Sequence, residues 1–295
     1  MIKRTVEISA EPAKLSLKLN QLVIARDGKE AATVPIEDLG TLVISHRQAQ
    51  ITAAALDALM KAGTAVVICD EKHLPSGMLL PFSGNSQQSK IMSLQVAAAE
   101  PIKKRLWQSV IKAKITGQAR MLSEAGAESG ALKTWAGEVR SGDPDNLEGQ
   151  AARFYWPRLF GAGFIRDRNG ATPNGLLNYG YAIIRASVAR ALVGAGLHPS
   201  LGIHHRNQYN DFLLADDLME PLRPFVDRAV YALWKEDPER GVGKATKQTL
   251  LGLMGETLEV TSGKLPFEVA LGRYAASFRR ALEENEPKHL DIPEW

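Results

Sequence analysis

The 295-residue chain carries a single cysteine, Cys69. No disulfide can form within it, which suits a reducing compartment. Cys69 closes the apolar run Ala65-Val66-Val67-Ile68-Cys69 and reads as a small buried hydrophobe, not a nucleophile or metal ligand. No apolar run approaches the length of a membrane span, and the basic N-terminal stretch is not followed by an apolar segment of the kind that directs export. A soluble, unexported protein of the cytoplasm is the expectation. The sequence also lacks a P-loop, a GxGxxG turn after a strand, a GxSxG elbow, an HExxH helix and any cysteine cluster. These absences set aside nucleotide hydrolysis, dinucleotide binding, the serine hydrolases and the common zinc sites.

Net charge is small, +3, and does not by itself argue for a polyanionic partner. Its distribution is more informative. Between Pro101 and Arg120 there are Lys103, Lys104, Arg105, Lys112, Lys114 and Arg120 and no acidic residue. Ile102, Leu106 and Val110 recur every four residues, with the small Ala113 after them, so the segment reads as an amphipathic helix with a basic surface. A solvated helix face explains such a run as readily as a nucleic-acid contact does.

The pattern along the chain predicts an α+β protein. LSLKL, QLVIA, ATVPI, TLVIS, AVVICD and MLLPF read as short strands, and Ile51, Ala55, Leu56, Leu59 and Met60 as one helix among them. Residues 1–82 are therefore expected to form a small β-rich domain and 83–89 a polar linker. Residues 90–285 are expected to form a larger all-α domain, with helices near 146–156, 176–195, 212–235, 244–254 and 266–284. The tail, 286–295, is expected to be mobile or to dock.

Three places could carry chemistry. Glu148 opens the helix that follows the Asp143-Pro144 turn. It stands three residues after Asp145, the spacing of a capping box, so a cap and a site ligand are both open readings. His204 and His205 lie in a glycine- and proline-bearing loop that could aim an imidazole into a cleft, and adjacent loop histidines rarely serve one metal together. Asp217 and Glu220, three apart, share a face if their segment is helical, and they could equally form solvated ion pairs with Arg223. Two acids and a histidine make a mixed oxygen and nitrogen donor set suited to Mg²⁺ or Mn²⁺, with the histidine favouring Mn²⁺.

The segments EGQAARFYW, LLNYGYA, GLHPSLGIHH and ADDLMEPLRPFVD, in that order and at these intervals, resemble the CRISPR-associated integrase family, the CRISPR-associated protein one family, in its type II branch. The resemblance implies a small β domain before a larger α domain and a two-fold homodimer. It places the family's metal-binding and catalytic residues on Glu148, His205 and Glu220. His205 is preferred to His204 because the family motif sets the histidine three residues after the glycine, here Gly202. Many family members carry Asp where Glu220 stands, which leaves Asp217 as a further ligand, a supporting residue or a structural one. The implied activity is metal-dependent insertion of short foreign DNA into the repeat array by 3′-hydroxyl transesterification. The implied partners are DNA (spacer precursor and CRISPR repeat array), a small CRISPR-associated bridging dimer and the type II effector nuclease, with no membrane. Candidate DNA-binding residues are Lys103, Lys104, Arg105, Lys112 and Arg206. The rival readings are a repair nuclease using the same centre and a noncatalytic DNA-binding subunit.

Overall fold

The computed structural model describes residues 3–71, 75–167 and 170–295. The N-terminal strands are β1 (Arg4–Ile8), β2 (Lys14–Lys18), β3 (Gln21–Ala25), β4 (Ala32–Pro35), β5 (Leu39–Ile44) and β6 (Gln50–Ile51); helix α1 (Ala53–Lys61) and strands β7 (Ala65–Cys69) and β8 (Pro75–Leu79) follow. They form two four-stranded sheets, in the orders β1-β5-β7-β8 and β4-β3-β2-β6. Strands β2 and β3 meet through Leu19 and Asn20, both at positive φ, 48° and 57°. A two-residue turn of that hand matches the strand twist, so this hairpin closes without glycine.

Strand β5 explains why its sequence is apolar without alternation. Its Leu39 and Leu42 join Leu15, Leu22, Leu59 and Val66 in a core between the sheets. Val43, with Val67 and Cys69 of β7, points the other way into the core of the helical part. A strand covered on both faces needs apolar residues at every position. The predicted strand at MLLPF is displaced: β8 ends at Leu79, and Phe82 is exposed. The edge strand β1 was not anticipated.

The helical part comprises α2 (Gln88–Ala97), α3 (Glu100–Glu124), α4 (Gly130–Glu138), α5 (Leu147–Phe160), α6 (Asn174–Gly194), α7 (Leu213–Met219), α8 (Arg223–Glu236), α9 (Lys244–Gly252) and α10 (Phe267–Glu283). A 3-10 turn, Glu220–Leu222, joins α7 to α8. This part is not all α as predicted: β9 (Thr257–Val260) and β10 (Gly263–Pro266) form an antiparallel hairpin ahead of α10. Helix α5 also runs through Pro157 to Phe160 instead of stopping before the proline. Helix α6 is the central element, buried along most of its length. At Gly180 it approaches α8 so closely that a Cβ would lie 2.5 Å from the Val226 side chain. Among the described residues, no helix is long and apolar enough to cross a membrane.

The tail docks on its own chain. Glu294 pairs with Glu259 of β9 through both backbone hydrogen bonds, at 2.6 and 2.8 Å. The Asp291 carboxylate accepts from the Thr261 amide and hydroxyl, at 3.0 and 2.8 Å, and pairs with Arg273. The Trp295 ring lies 4.2 Å beneath the Arg120 guanidinium of α3. Arginine stacking and backbone pairing together fix the segment, the docking of the two alternatives its sequence left open.

A buried polar contact joins the two parts. Lys247 of α9 donates to the Ser45 hydroxyl at 2.9 Å and lies 3.5 Å from the Glu7 carboxylate of β1, and both charged side chains are buried. Removing one member strands the other charge out of water. Lys247→Ala is expected to lower unfolding free energy by roughly 3–5 kcal/mol in urea denaturation, whereas Lys61→Ala, at an exposed helical pair, is expected to change it by less than about 0.5 kcal/mol.

Candidate catalytic site

Four segments converge: the middle of α3, the first turn of α5, the loop before α7, and the turn between α7 and α8. Glu148 does not cap its helix. Asn146 is the cap and accepts from the Gly149 amide at 3.1 Å, while the Asp143 carboxylate takes the Leu147 and Glu148 amides at 2.9 and 3.0 Å. Asp145 is turned away into a pair with Arg140. With every capping role filled, the Glu148 carboxylate is free to face the cleft.

Lys114 lies opposite. Its ammonium is 2.6 Å from Glu148 Oε1 and 2.6 Å from Glu220 Oε2, bridging the two carboxylates. Glu220 Oε1 is 2.9 Å from the Arg223 guanidinium. The pairing with Arg223 that the sequence suggested is real, but it is buried: Glu220 is 3% exposed. Burial acts to raise the Glu220 pKa, and Arg223 and Lys114 outweigh it, holding the carboxyl below its ordinary range. For Lys114, burial acts against the charge, and Glu220 and Glu148 overcome it, so the ammonium pKa is raised.

Asp217 has a different task from Glu220. Fully buried, its carboxylate accepts from the backbone amides of Ile203, His204 and His205, at 2.7, 3.0 and 3.2 Å, and bonds His205 Nδ1 at 2.5 Å. Gly202 makes room for this, since a Cβ there would fall 2.9 Å from Leu213 and 3.0 Å from Asp217 Oδ2. One carboxylate thus shapes the loop and orients the imidazole. With Nδ1 committed, Nε2 is the nitrogen left for a ligand. The bond to Asp217 raises the His205 pKa against the opposing effect of burial, and Glu220 and Glu148 act in the same direction. His204 diverges. Its ring stacks on Trp107 of α3 at 4.0 Å and 4°, while His205 meets the same indole edge-on at 5.5 Å.

The structure therefore brings Glu148 and Glu220 together across Lys114 and sets His205 within electrostatic reach of both. Sequence reasoning missed Lys114, Trp107 and Arg223 as members of the site. The signal for Lys114 was present: it follows Leu106 and Val110 by four more residues, on the apolar stripe and not on the basic face. Of the DNA-binding candidates, Lys103 and Arg206 both pair with Glu100, at 3.8 and 3.0 Å. Lys104 and Arg105 line an open groove with Arg140 and the single acid Glu100, Arg105 also donating to the Asn285 carbonyl. Lys112 is half-buried on α3. On the far side of Glu220, Arg166, Arg185 and Arg223 line a cavity of about 290 Å³ together with Tyr181.

The donors suit a divalent cation in kind: two carboxylates and an imidazole nitrogen held by an outer carboxylate. Glu220 Oε2 is buried and, despite the nearby ammonium, accepts no hydrogen bond of normal geometry, so an acceptor site remains open on it. As the side chains stand, no three His, Cys, Asp or Glu among the described residues come close enough together to hold a metal ion. The Lys114 ammonium occupies the space between the carboxylates.

Behind the site, Tyr155 of α5 and Tyr181 of α6 both donate to the Asp227 carboxylate of α8. Burial lifts the Asp227 pKa to about 7, against the two tyrosyl bonds and Arg223. The folded state therefore keeps a proton that the unfolded carboxyl, titrating near 4, has already released, and stability falls as pH rises through that window. The contribution lost is on the order of 4 kcal/mol. Asp227→Asn is expected to flatten the decline in urea-unfolding free energy between about pH 4 and 7, and an unchanged slope would show that Asp227 titrates normally.

The chain matches the family model described as CRISPR associated protein Cas1 over residues 6–240. It is 40% identical over 284 residues to the CRISPR-associated endonuclease Cas1 of Neisseria meningitidis serogroup C, covering 95% of this chain and 93% of that protein. Among solved structures, it resembles a casposase bound to integration product with a TM-score of 0.79 at 18% identity, covering 96% of this chain and 91% of the other. It also resembles a chain of a Cas6-RT-Cas1–Cas2 complex with a TM-score of 0.78 at 19% identity, covering 98% of this chain and 36% of that longer one.

Proposed function

The chain belongs to the CRISPR-associated protein Cas1 family, and on that premise we propose that it is the metal-dependent integrase and endonuclease of CRISPR adaptation, with Glu148, His205 and Glu220 as its catalytic, metal-holding residues. The observation that carries the reading is the facing pair of carboxylates, from α5 and from the α7–α8 turn, beside a histidine whose Nδ1 is tied down by Asp217. It stands on a chain 40% identical along nearly its whole length to a curated Cas1 endonuclease.

The reaction is a transesterification. The 3′-hydroxyl of a short captured DNA attacks a phosphodiester at the repeat array, one P–O bond forms as another breaks, and the displaced 3′-oxygen takes up a proton. With water as nucleophile, the same centre hydrolyses. Mg²⁺ or Mn²⁺ held by Glu148, His205 Nε2 and Glu220 would supply charge stabilisation at the phosphate and lower the pKa of the attacking oxygen. The chain's own residues do the rest. Asp217 holds the His205 tautomer, which leaves Nε2 as the nitrogen able to bind a ligand or pass a proton. Arg223 keeps Glu220 ionised in a buried position. Trp107 fixes the loop by stacking His204, which keeps the neighbouring imidazole from rotating away.

DNA reaches the centre along basic surface: the groove of Lys104, Arg105 and Arg140 on one side, and the Arg166, Arg185 and Arg223 cavity on the other. Lys103 and Arg206 share Glu100 and contribute less net charge, and Lys112 lies further along α3. In this reading the working assembly is a homodimer bridged by a small CRISPR-associated dimer, and for the bridging partner the support is the likeness to a chain of a Cas6-RT-Cas1–Cas2 complex. The type II effector nuclease is a further partner of the same reading.

The direct test is strand transfer and release on a branched DNA mimicking a half-integrated spacer, with Mn²⁺ or Mg²⁺. Glu148→Gln, His205→Ala and Glu220→Gln are each expected to slow both reactions by about 10²-fold or more while DNA binding survives. A wild type that is inert with both metals and the bridging partner overturns the catalytic reading in favour of a DNA-binding subunit. A second measurement addresses the basic surface. Replacing Lys103, Lys104 and Arg105 together with Ala is expected to reduce the slope of log affinity against log salt by about 1–3, or roughly 0.9 for each phosphate left without its lysine or arginine. An unchanged slope removes these three residues from the DNA path.

A further inference from the structure

Lys114 poses a problem that the reaction alone does not answer. Its ammonium is 2.6 Å from an oxygen of each carboxylate assigned to the metal, and it is nine-tenths buried. Arg223 already balances one negative charge of the pair from the opposite side of Glu220. Lys114 and Arg223 together thus bring the local charge of Glu148 and Glu220 to zero with no other cation present. A divalent ion seated between the same carboxylates would lie next to a like charge at contact distance, so ammonium and metal exclude each other from that position.

We propose that Lys114 is an internal counter-ion that keeps Glu148 and Glu220 in register in the metal-free enzyme and is exchanged for the divalent cation when the site loads. It is a positioning residue, and the inference rests on the assignment of Glu148 and Glu220 as metal ligands. Three observations support exchange over a permanent structural pair. The ammonium donates a hydrogen bond of normal geometry to Glu148 but meets Glu220 Oε2 at 2.6 Å outside such geometry, so it is held to Glu220 chiefly by charge. A lysine carries a flexible four-carbon stem and a point charge, able to swing where a planar guanidinium would stay locked. Finally, α3 is anchored independently of Lys114, by Leu106, Trp107, Val110, Ile111 and Ile115 in the core, so the helix does not depend on this side chain for its place.

The exchange makes opposite predictions for stability and for metal affinity, which a purely structural ion pair does not. In EDTA, Lys114→Met is expected to melt well below wild type, because two carboxylates lose their shared cation, and Lys114→Arg is expected to recover most of that loss. Mn²⁺ binding, read by electron paramagnetic resonance on the full chain without DNA, is expected to be about tenfold tighter or more in Lys114→Met than in wild type, since a competing charge is gone. Mn²⁺ is expected to restore its melting temperature. Equal or weaker Mn²⁺ affinity in Lys114→Met than in wild type overturns the exchange while leaving the metal site standing. Failure of both proteins to bind Mn²⁺ overturns the metal assignment itself. Should Lys114→Met not fold, crystals of the wild type soaked in Mn²⁺ decide the matter. Manganese between Glu148 and Glu220 with the ammonium withdrawn supports exchange, and manganese bound with Lys114 still touching both carboxylates refutes it.

Discussion

Two glutamates drawn largely out of water cannot face each other unless cations stand with them, and the arrangement of the helical part follows from meeting that requirement. Glu148 comes from α5 and Glu220 from the turn after α7, segments far apart in the chain. What lets them share a site is α3, which runs behind both and presents Lys114 between them. Arg223 completes the neutralisation from the first turn of α8, only three residues after Glu220. Like charges at this separation in a protein interior repel by several kcal/mol, so either cation missing would push the segments apart or force a carboxylate to take up a proton.

Polar groups at the site are divided by task, and the division shows in what each carboxylate touches. Asp143 and Asn146 hold backbone amides of the α5 entry, Asp217 holds three loop amides and an imidazole, and Asp227 holds two tyrosines. Each is committed to hydrogen bonds within the fold. Glu148 and Glu220 instead meet the charged side chains of Lys114 and Arg223. That contrast separates the groups that build the site from those able to change partners within it. In the proposed reading Asp217, left open by the sequence, takes the supporting role, because its carboxylate is already committed to three loop amides and the His205 imidazole.

The sequence showed much of this and concealed the rest for physical reasons. The apolar runs of β3, β5 and β7 and the long periodic helices α3, α6 and α10 were legible because burial imposes a period on side chains. Strand β1 was not, since an edge strand carrying Arg4 and Glu7 shows too little apolar contrast. Helix α4 begins at a glycine and carries no side-chain cap, so nothing local announced it. The docked tail depends on pairing Glu294 with Glu259, a contact between backbones that side-chain pattern does not encode. At the site, the segments bearing Glu148, His205 and Glu220 stood out by residue type, and the family resemblance chose among the alternatives there. The capping reading of Glu148 failed because Asn146 and Asp143, not Asp145, took up the free amides.

Lys114 shows most clearly how a local reading can mislead. Within a run of basic residues it looks like one more surface charge, which a solvated helix face explains as readily as a nucleic-acid contact does. Geometry divides the run. Lys104 and Arg105 lie at an open groove, Arg120 stacks on Trp295, and Lys114, four residues beyond Val110, falls on the stripe that faces inward. A lysine on an apolar stripe is costly to bury unpaired, so its presence there implies an acid opposite it, and here there are two. The same helix therefore carries basic side chains on its outer face, where the proposed function places DNA, and pairs with Glu148 and Glu220 on its inner one. Adjustments of α3 on binding DNA would then reach Glu148 and Glu220 directly through the Lys114 side chain.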